Sequence, residues 1–331
     1  MKNQLCLLVM LLVGKVLSAQ EVFTPVQHYC KPGVTGKAPS KGILVEYGFY
    51  PGINLNAENA AANANDVNRY GRLRVKLKAP IIHKPSLSLL VGFNHYRERF
   101  NFSSIGADQA NLFKNLDDRV LKSSELSVYV SKPLNHKFYL SFKLGAAFNV
   151  DYEKLIDFDQ RYANYRFGAI LGIKNRPDRE IGIGVFVRRG FRNNNILPFF
   201  MYNRTFNKKW GIETVLPVKI MARYTFNTRN MILFGTEFGG RDYSIDIYDF
   251  SNSARNPTIN HMQRSELSFS VEHLHQLSKW VWLSLKGGYV HHFNSRFTEA
   301  NAANDSAAVS VAPRNGPFFK IGVFISPPRK K

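Results

Sequence analysis

Residues 72–78 read Arg-Leu-Arg-Val-Lys-Leu-Lys, cation and aliphatic in unbroken alternation. On a helix these side chains would scatter charge around the whole surface. A strand has a side-chain period of two, so it collects them into one apolar face and one charged face. After a short turn over residues 79–85, Leu87, Leu89, Val91 and Phe93 restore an apolar residue at every second position.

The unit of strand, tight turn, strand and longer polar loop recurs along the 331 residues. Phe138, Leu140, Phe142, Leu144, Ala146 and Phe148 share one stripe; Ile181, Ile183, Val185 and Val187 make another. No segment keeps a 3.6-residue period over a useful length. The apparent strands run to about 10–15 residues, longer than the five or six usual in soluble sheets and matched to a tilted membrane strand. A soluble β-sandwich explains the alternation but not this length, nor the contrast between tight turns and long loops. The expectation is an all-β, transmembrane, antiparallel up-and-down β-barrel. Pro217 interrupts the stretch 210–226 and cannot donate to a ladder, so that stretch is read as two strands. The count is then about 14 and both ends lie on one side; 12 is the alternative if residues 196–204 stand outside the wall. Residues 51–66, 101–118 and 298–316 are read as loops without periodicity.

Residues 1–19 read as a secretory signal peptide, with Lys2 ahead of an apolar run at residues 5–13 that is too short to span a bilayer. Residues 20–40 are expected to form a flexible periplasmic N-terminal arm, with a short plug in the lumen as the alternative. The barrel occupies residues 41–326 and a basic tail residues 327–331. Cys6 falls in the signal peptide, which leaves Cys30 as a lone thiol in the arm, with no disulfide and no Cys metal site. The location implied is the outer membrane of a Gram-negative bacterium, reached by Sec export and the barrel insertion machinery.

The net charge of +21 is spread over nearly every strand and turn rather than gathered in one segment. That argues against nucleic acid and for outer-membrane lipids, lipopolysaccharide and small anionic solutes as partners. Aromatic residues, 13% of the chain, gather toward strand ends as interface girdles: Tyr47, Phe49 and Tyr50; Phe93, Tyr96, Phe100 and Phe102; Trp280 and Trp282; Phe318 and Phe319.

By alternation the lumen carries Arg72, Arg74, Lys76, Lys78, Glu125, Lys143, Arg166, Arg188, Glu237, Arg241, Glu266 and Lys286. These charges either pair across strands or line a water-filled pore that favours anions. The function implied is a porin-like channel for small polar or anionic solutes, or a structural and surface protein. The alternative is a lipid-modifying hydrolase acting on lipid A or phospholipid esters. Its candidates are His291, His292 and Ser295 at a strand end, where a neutral imidazole near a hydroxyl can activate it. His291 and Ser295 share a face but lie about 13 Å apart, which is too far for a hydrogen bond. His273 and His275 share a face without a third ligand, and Asp242, Asp246 and Asp249 flank a strand–loop boundary where Ca²⁺ is conceivable. No cofactor or metal is expected.

The sequences KGILVEYGFYP at 41–51, WGIETVLP at 210–217 and FGTEFGG at 234–240 resemble an uncharacterised outer-membrane β-barrel family of Bacteroidota. The resemblance covers residues 41–326. It implies fold and location and carries over no functional residue.

Overall fold

The computed structural model describes residues 30–50, 53–57, 65–102, 105, 110–117, 119–150, 163–190, 194–247, 258–299, 309–313 and 315–328. The signal peptide, Cys6, Asp249 and residues 329–331 lie outside the described residues. In chain order the elements are β1 (Ile43–Tyr50), β2 (Ile53–Ala57), β3 (Asn65–Lys84), β4 (Leu87–Phe102), α1 (Ala110–Leu116), β5 (Val120–Pro133), β6 (Phe138–Val150), β7 (Ala163–Arg176), β8 (Arg179–Arg189), β9 (Asn194–Thr205), β10 (Trp210–Leu216), β11 (Lys219–Asn227), β12 (Asn230–Ile247), β13 (Thr258–Gln276), β14 (Val281–Glu299), β15 (Val309–Pro313) and β16 (Gly316–Ile325).

Fourteen strands close into an antiparallel barrel, sequential neighbours pairing from β3 to β14, with β16 and β1 completing the ring between β14 and β3. Pro217 does divide its stretch, into β10 and β11, and residues 196–204 stand in the wall within β9, bonded to β8 and β10. Beyond the short β1 and β16, β2 and β15 pair with each other and bridge β3 to β14. They arise in stretches read as structureless, as does α1, because five to seven residues are too few for a period to show.

Six tight turns gather at one end of the barrel, the turn end; Pro217-Val218 is a tight connection at the opposite, loop end. The outward stripe is apolar and exposed: Ile43, Val45, Leu77, Val91, Leu126, Val128, Leu144, Phe167 and Ile183 all belong to it. The inward stripe is polar at mid-height and apolar at both ends. At the loop end Tyr50, Phe100, Phe113, Leu116, Tyr243 and Phe318 build a dry core, with α1 packed inside the mouth. At the turn end Leu44, Met221, Leu274, Trp282 and Phe324 build a second.

The expected aromatic girdles are therefore only partly outward. Tyr47 and Phe49 are exposed, but Tyr50, Phe100, Trp282 and Phe318 are buried inside. A period of two sends adjacent aromatics to opposite faces.

Strand β12 departs from the ring. Glu237 is the last residue opposite β11, and farther on Ser244 makes a parallel bridge to Val150 of β6. Its outward stripe shows why: Phe234 and Phe238 give way to Gly240, Asp242, Ser244 and Asp246. Such a stripe cannot face hydrocarbon, and Asp242 and Ser244 are each about 1% exposed.

Candidate functional site

The inward charges of the middle strands meet in a chamber of 780 Å³. Among the described residues, nine cations and seven carboxylates line it. Most are paired. Glu98 of β4 is fully buried and receives Arg264 at 2.8 Å, Arg241, and the Tyr243 hydroxyl at 3.2 Å, with Arg72 at 3.8 Å. Arg72 also donates both terminal nitrogens to Glu266, at 2.7 Å each. A buried carboxylate is tolerated only with such multiple charge-assisted partners.

Glu125 accepts Lys143 at 2.5 Å and Arg166 at 2.7 Å. Glu237 accepts Lys286 at 3.0 Å, Arg188 reaches Asp242 at 3.3 Å, and Lys41 bonds Glu272. The guanidinium of Arg74 donates to Asn94 at 3.1 Å and stacks on Tyr96, while Lys78 lies 3.7 Å from the centre of the Tyr129 ring. Lys76 lines the chamber with Lys41, Arg74, Lys78 and Lys143 as its charged neighbours, and among the described residues no carboxylate is bonded to it.

Residues 30–40, read from sequence as part of a flexible arm with a plug as its alternative, cross the turn-end mouth and are bonded to it. Gly33 N–H donates to Glu180 at 2.6 Å and Ala38 N–H to Glu213 at 2.8 Å. Glu180, about 1% exposed, also accepts the Tyr139 hydroxyl at 2.7 Å and Asn203 at 2.8 Å. Tyr139 reaches it over Gly172, where a Cβ would lie 2.0 Å from the Tyr139 ring. Lys174 and Thr205 donate back to the carbonyls of Gly33 and Thr35. Cys30, buried at the rim, directs its thiol to the Lys137 carbonyl at 3.4 Å, and burial pushes that thiol up from its ordinary pKa.

The hydrolase candidates do not assemble. A bulge in β14, where Phe293 is the extra residue against Ser265 and Glu266, sets His291 opposite Leu267 but Ser295 opposite Arg264, which breaks the same-face relation expected of them. The side chain of Ser295 lies outside the described residues. His291 packs edge-on against Phe293, and His292 points inward with both ring nitrogens unbonded. A different pair is in contact: His95 Nδ1 lies 2.8 Å from Ser124 Oγ, on the outward face and buried. His275 bonds Asn230 at 2.7 Å, and among the described residues no three His, Cys, Asp or Glu side chains are grouped to hold a metal.

Sequence reasoning also passed over Glu98, Glu180, Glu213 and Arg264. Glu98 is in phase with the inward Asn94 and Tyr96, and Glu180 with Gly182 and Gly184, so parity was a sufficient signal for both.

The class these features define is a closed, fourteen-stranded antiparallel barrel with a charged interior. The chain belongs to the family described as Domain of unknown function (DUF6268), whose profile matches residues 95–324. No curated protein matches it. Among solved structures it is similar to the toluene transporter TodX of P. putida, with 10% identity, 89% of this chain and 91% of that one covered, and a TM-score of 0.37. The outer membrane protease OmpT of Escherichia coli gives 9% identity, 86% and 94% coverage and a TM-score of 0.29. The CymD monoaromatic hydrocarbon channel gives 11%, 87% and 89%, and 0.27.

Proposed function

We propose that this chain is an integral outer-membrane β-barrel, made by a Gram-negative bacterium of the Bacteroidota, that passes small anionic solutes through a gated chamber. The exposed apolar stripe supports the membrane location, since a contiguous belt of this kind is poorly tolerated in water. Insertion by the barrel assembly machinery and contact with outer-membrane lipids belong to the same reading. The observation that carries the solute class is Lys76, which lines the polar chamber near Arg74 and Lys78 with no carboxylate bonded to it among the described residues. An anion is the species that lowers the energy of such a cluster. Residues 30–40 and the loop-end core are the two gates, which replaces the permanently open pore of a general porin.

The test is a planar-bilayer recording. The wild-type barrel gives rare, small, anion-selective openings. Glu180→Ala with Glu213→Ala loosens the arm and raises the open probability, and Lys76→Glu shifts the reversal potential toward cations. A steady wild-type conductance, or silence from every variant, overturns the reading.

A second reading, ester hydrolysis on an outer-leaflet lipid, is favoured by the 2.8 Å contact of His95 with Ser124. It predicts fatty-acid release from vesicles that Ser124→Ala abolishes. It ranks second because Ser124 is only about 1% exposed.

A further inference from the structure

Two depressions lie on the outward face toward the loop end. The larger, of 620 Å³, crosses β4 to β8 and is lined by Val91, Val128, Ala146, Phe167 and Arg189 among others. Register sets Leu126, Ala146, Tyr165 and Arg189 in one row, so the small Ala146 forms the floor between larger side chains. The smaller, of 290 Å³, is lined by Tyr47, Leu73, Arg97, Arg99 and Asn101. It exists because Gly71 lets Tyr47 lean across β3; a Cβ there would sit 2.2 Å from the Tyr47 hydroxyl.

Arg97 and Arg189 extend apolar outward stripes and are exposed. In the ladders Arg97 faces Leu73 and Lys122, and Arg189 faces Tyr165 and Asn194, so neither has a carboxylate opposite it. Cations above an apolar belt are costly against hydrocarbon and favourable against anionic head groups. The two arginines stand four strands apart, and the row of Arg189 meets β4 at Phe93, four residues short of Arg97, so their backbones are roughly 23 Å apart. One phosphate cannot bridge that distance. Two phosphates at opposite ends of one head group can, with the arginine side chains closing the remainder.

We propose that these depressions hold a single bisphosphorylated, acylated lipid of the surrounding leaflet, with an acyl chain in the groove over Ala146 and its phosphates at Arg189 and at Arg97. The proposal rests on the membrane location above and is independent of conduction.

Purified barrel in detergent is loaded with bisphosphorylated lipid A, its monophosphorylated form or phosphatidylcholine, and the retained lipid is measured by native mass spectrometry. Bisphosphorylated lipid A is retained most strongly. Arg97→Gln or Arg189→Gln weakens retention about 5-fold, and the two together about 30-fold. Ala146→Trp, which fills the groove with both arginines intact, weakens retention of both lipid A forms. Equal retention by wild type and variants, equal retention of phosphatidylcholine, or displacement of the lipid by millimolar inorganic phosphate overturns the site. Recovery of the double variant, heat-modifiable, in the outer-membrane fraction separates failure of this site from failure of the membrane location.

Discussion

Glu98 is the residue on which the interior charge balance turns. It has no exposed surface and faces Arg72, Arg241 and Arg264. Glu98→Ala leaves three guanidinium groups confined together, and a loss of about 3–5 kcal/mol is expected. Urea midpoints of the heat-modifiable band in lipid vesicles measure it. Cys30 supplies a second readout. Its thiol is buried and its pKa raised, so the reactive thiolate is scarce at neutral pH and alkylation keeps accelerating to higher pH than for an exposed thiol. Glu180→Ala frees the arm, and faster Cys30 alkylation at neutral pH is the expected outcome; an unchanged rate would show that Glu180 does not hold it. Charge at these positions was legible from parity alone. The identity of each partner was not, because Glu98 meets Arg264 across 166 residues of sequence.

Single elements divide into those whose stripe is uniform and those whose stripe changes. The uniform ones, such as β6 and β8, were readable directly, faces included. In β12 the change from Phe238 to Asp242 marks where the strand turns inward, and the periodicity remains intact while its meaning changes. Asp242→Leu restores a lipid-compatible stripe but deprives Arg188 of its acceptor. A loss of about 1.5–3 kcal/mol is expected from the same urea assay, with Asp242→Asn losing less. A more stable leucine variant would mean that the stripe does not direct the strand. The bulge in β14 at Phe293 had no sequence marker, since one extra residue reverses every later face without altering composition.

For the whole molecule, strand number and closure followed from the spacing of turns and from Pro217, both local properties. The apolar cores at the two ends did not, since they depend on side chains from distant strands converging on one axis: Tyr50, Phe113 and Tyr243 at one end, Leu44, Met221 and Trp282 at the other. Between these cores the chamber retains more cations than carboxylates among its described lining.

The contacts of residues 30–40 bear on how the barrel is made. Their acceptors, Glu180 and Glu213, lie 147 and 175 residues farther along the chain. A nascent, half-curled sheet offers the arm nowhere to rest, and only a finished ring brings those carboxylates round to it. The arm is thus a latch whose contacts require β8 and β10 to be in place before it can engage.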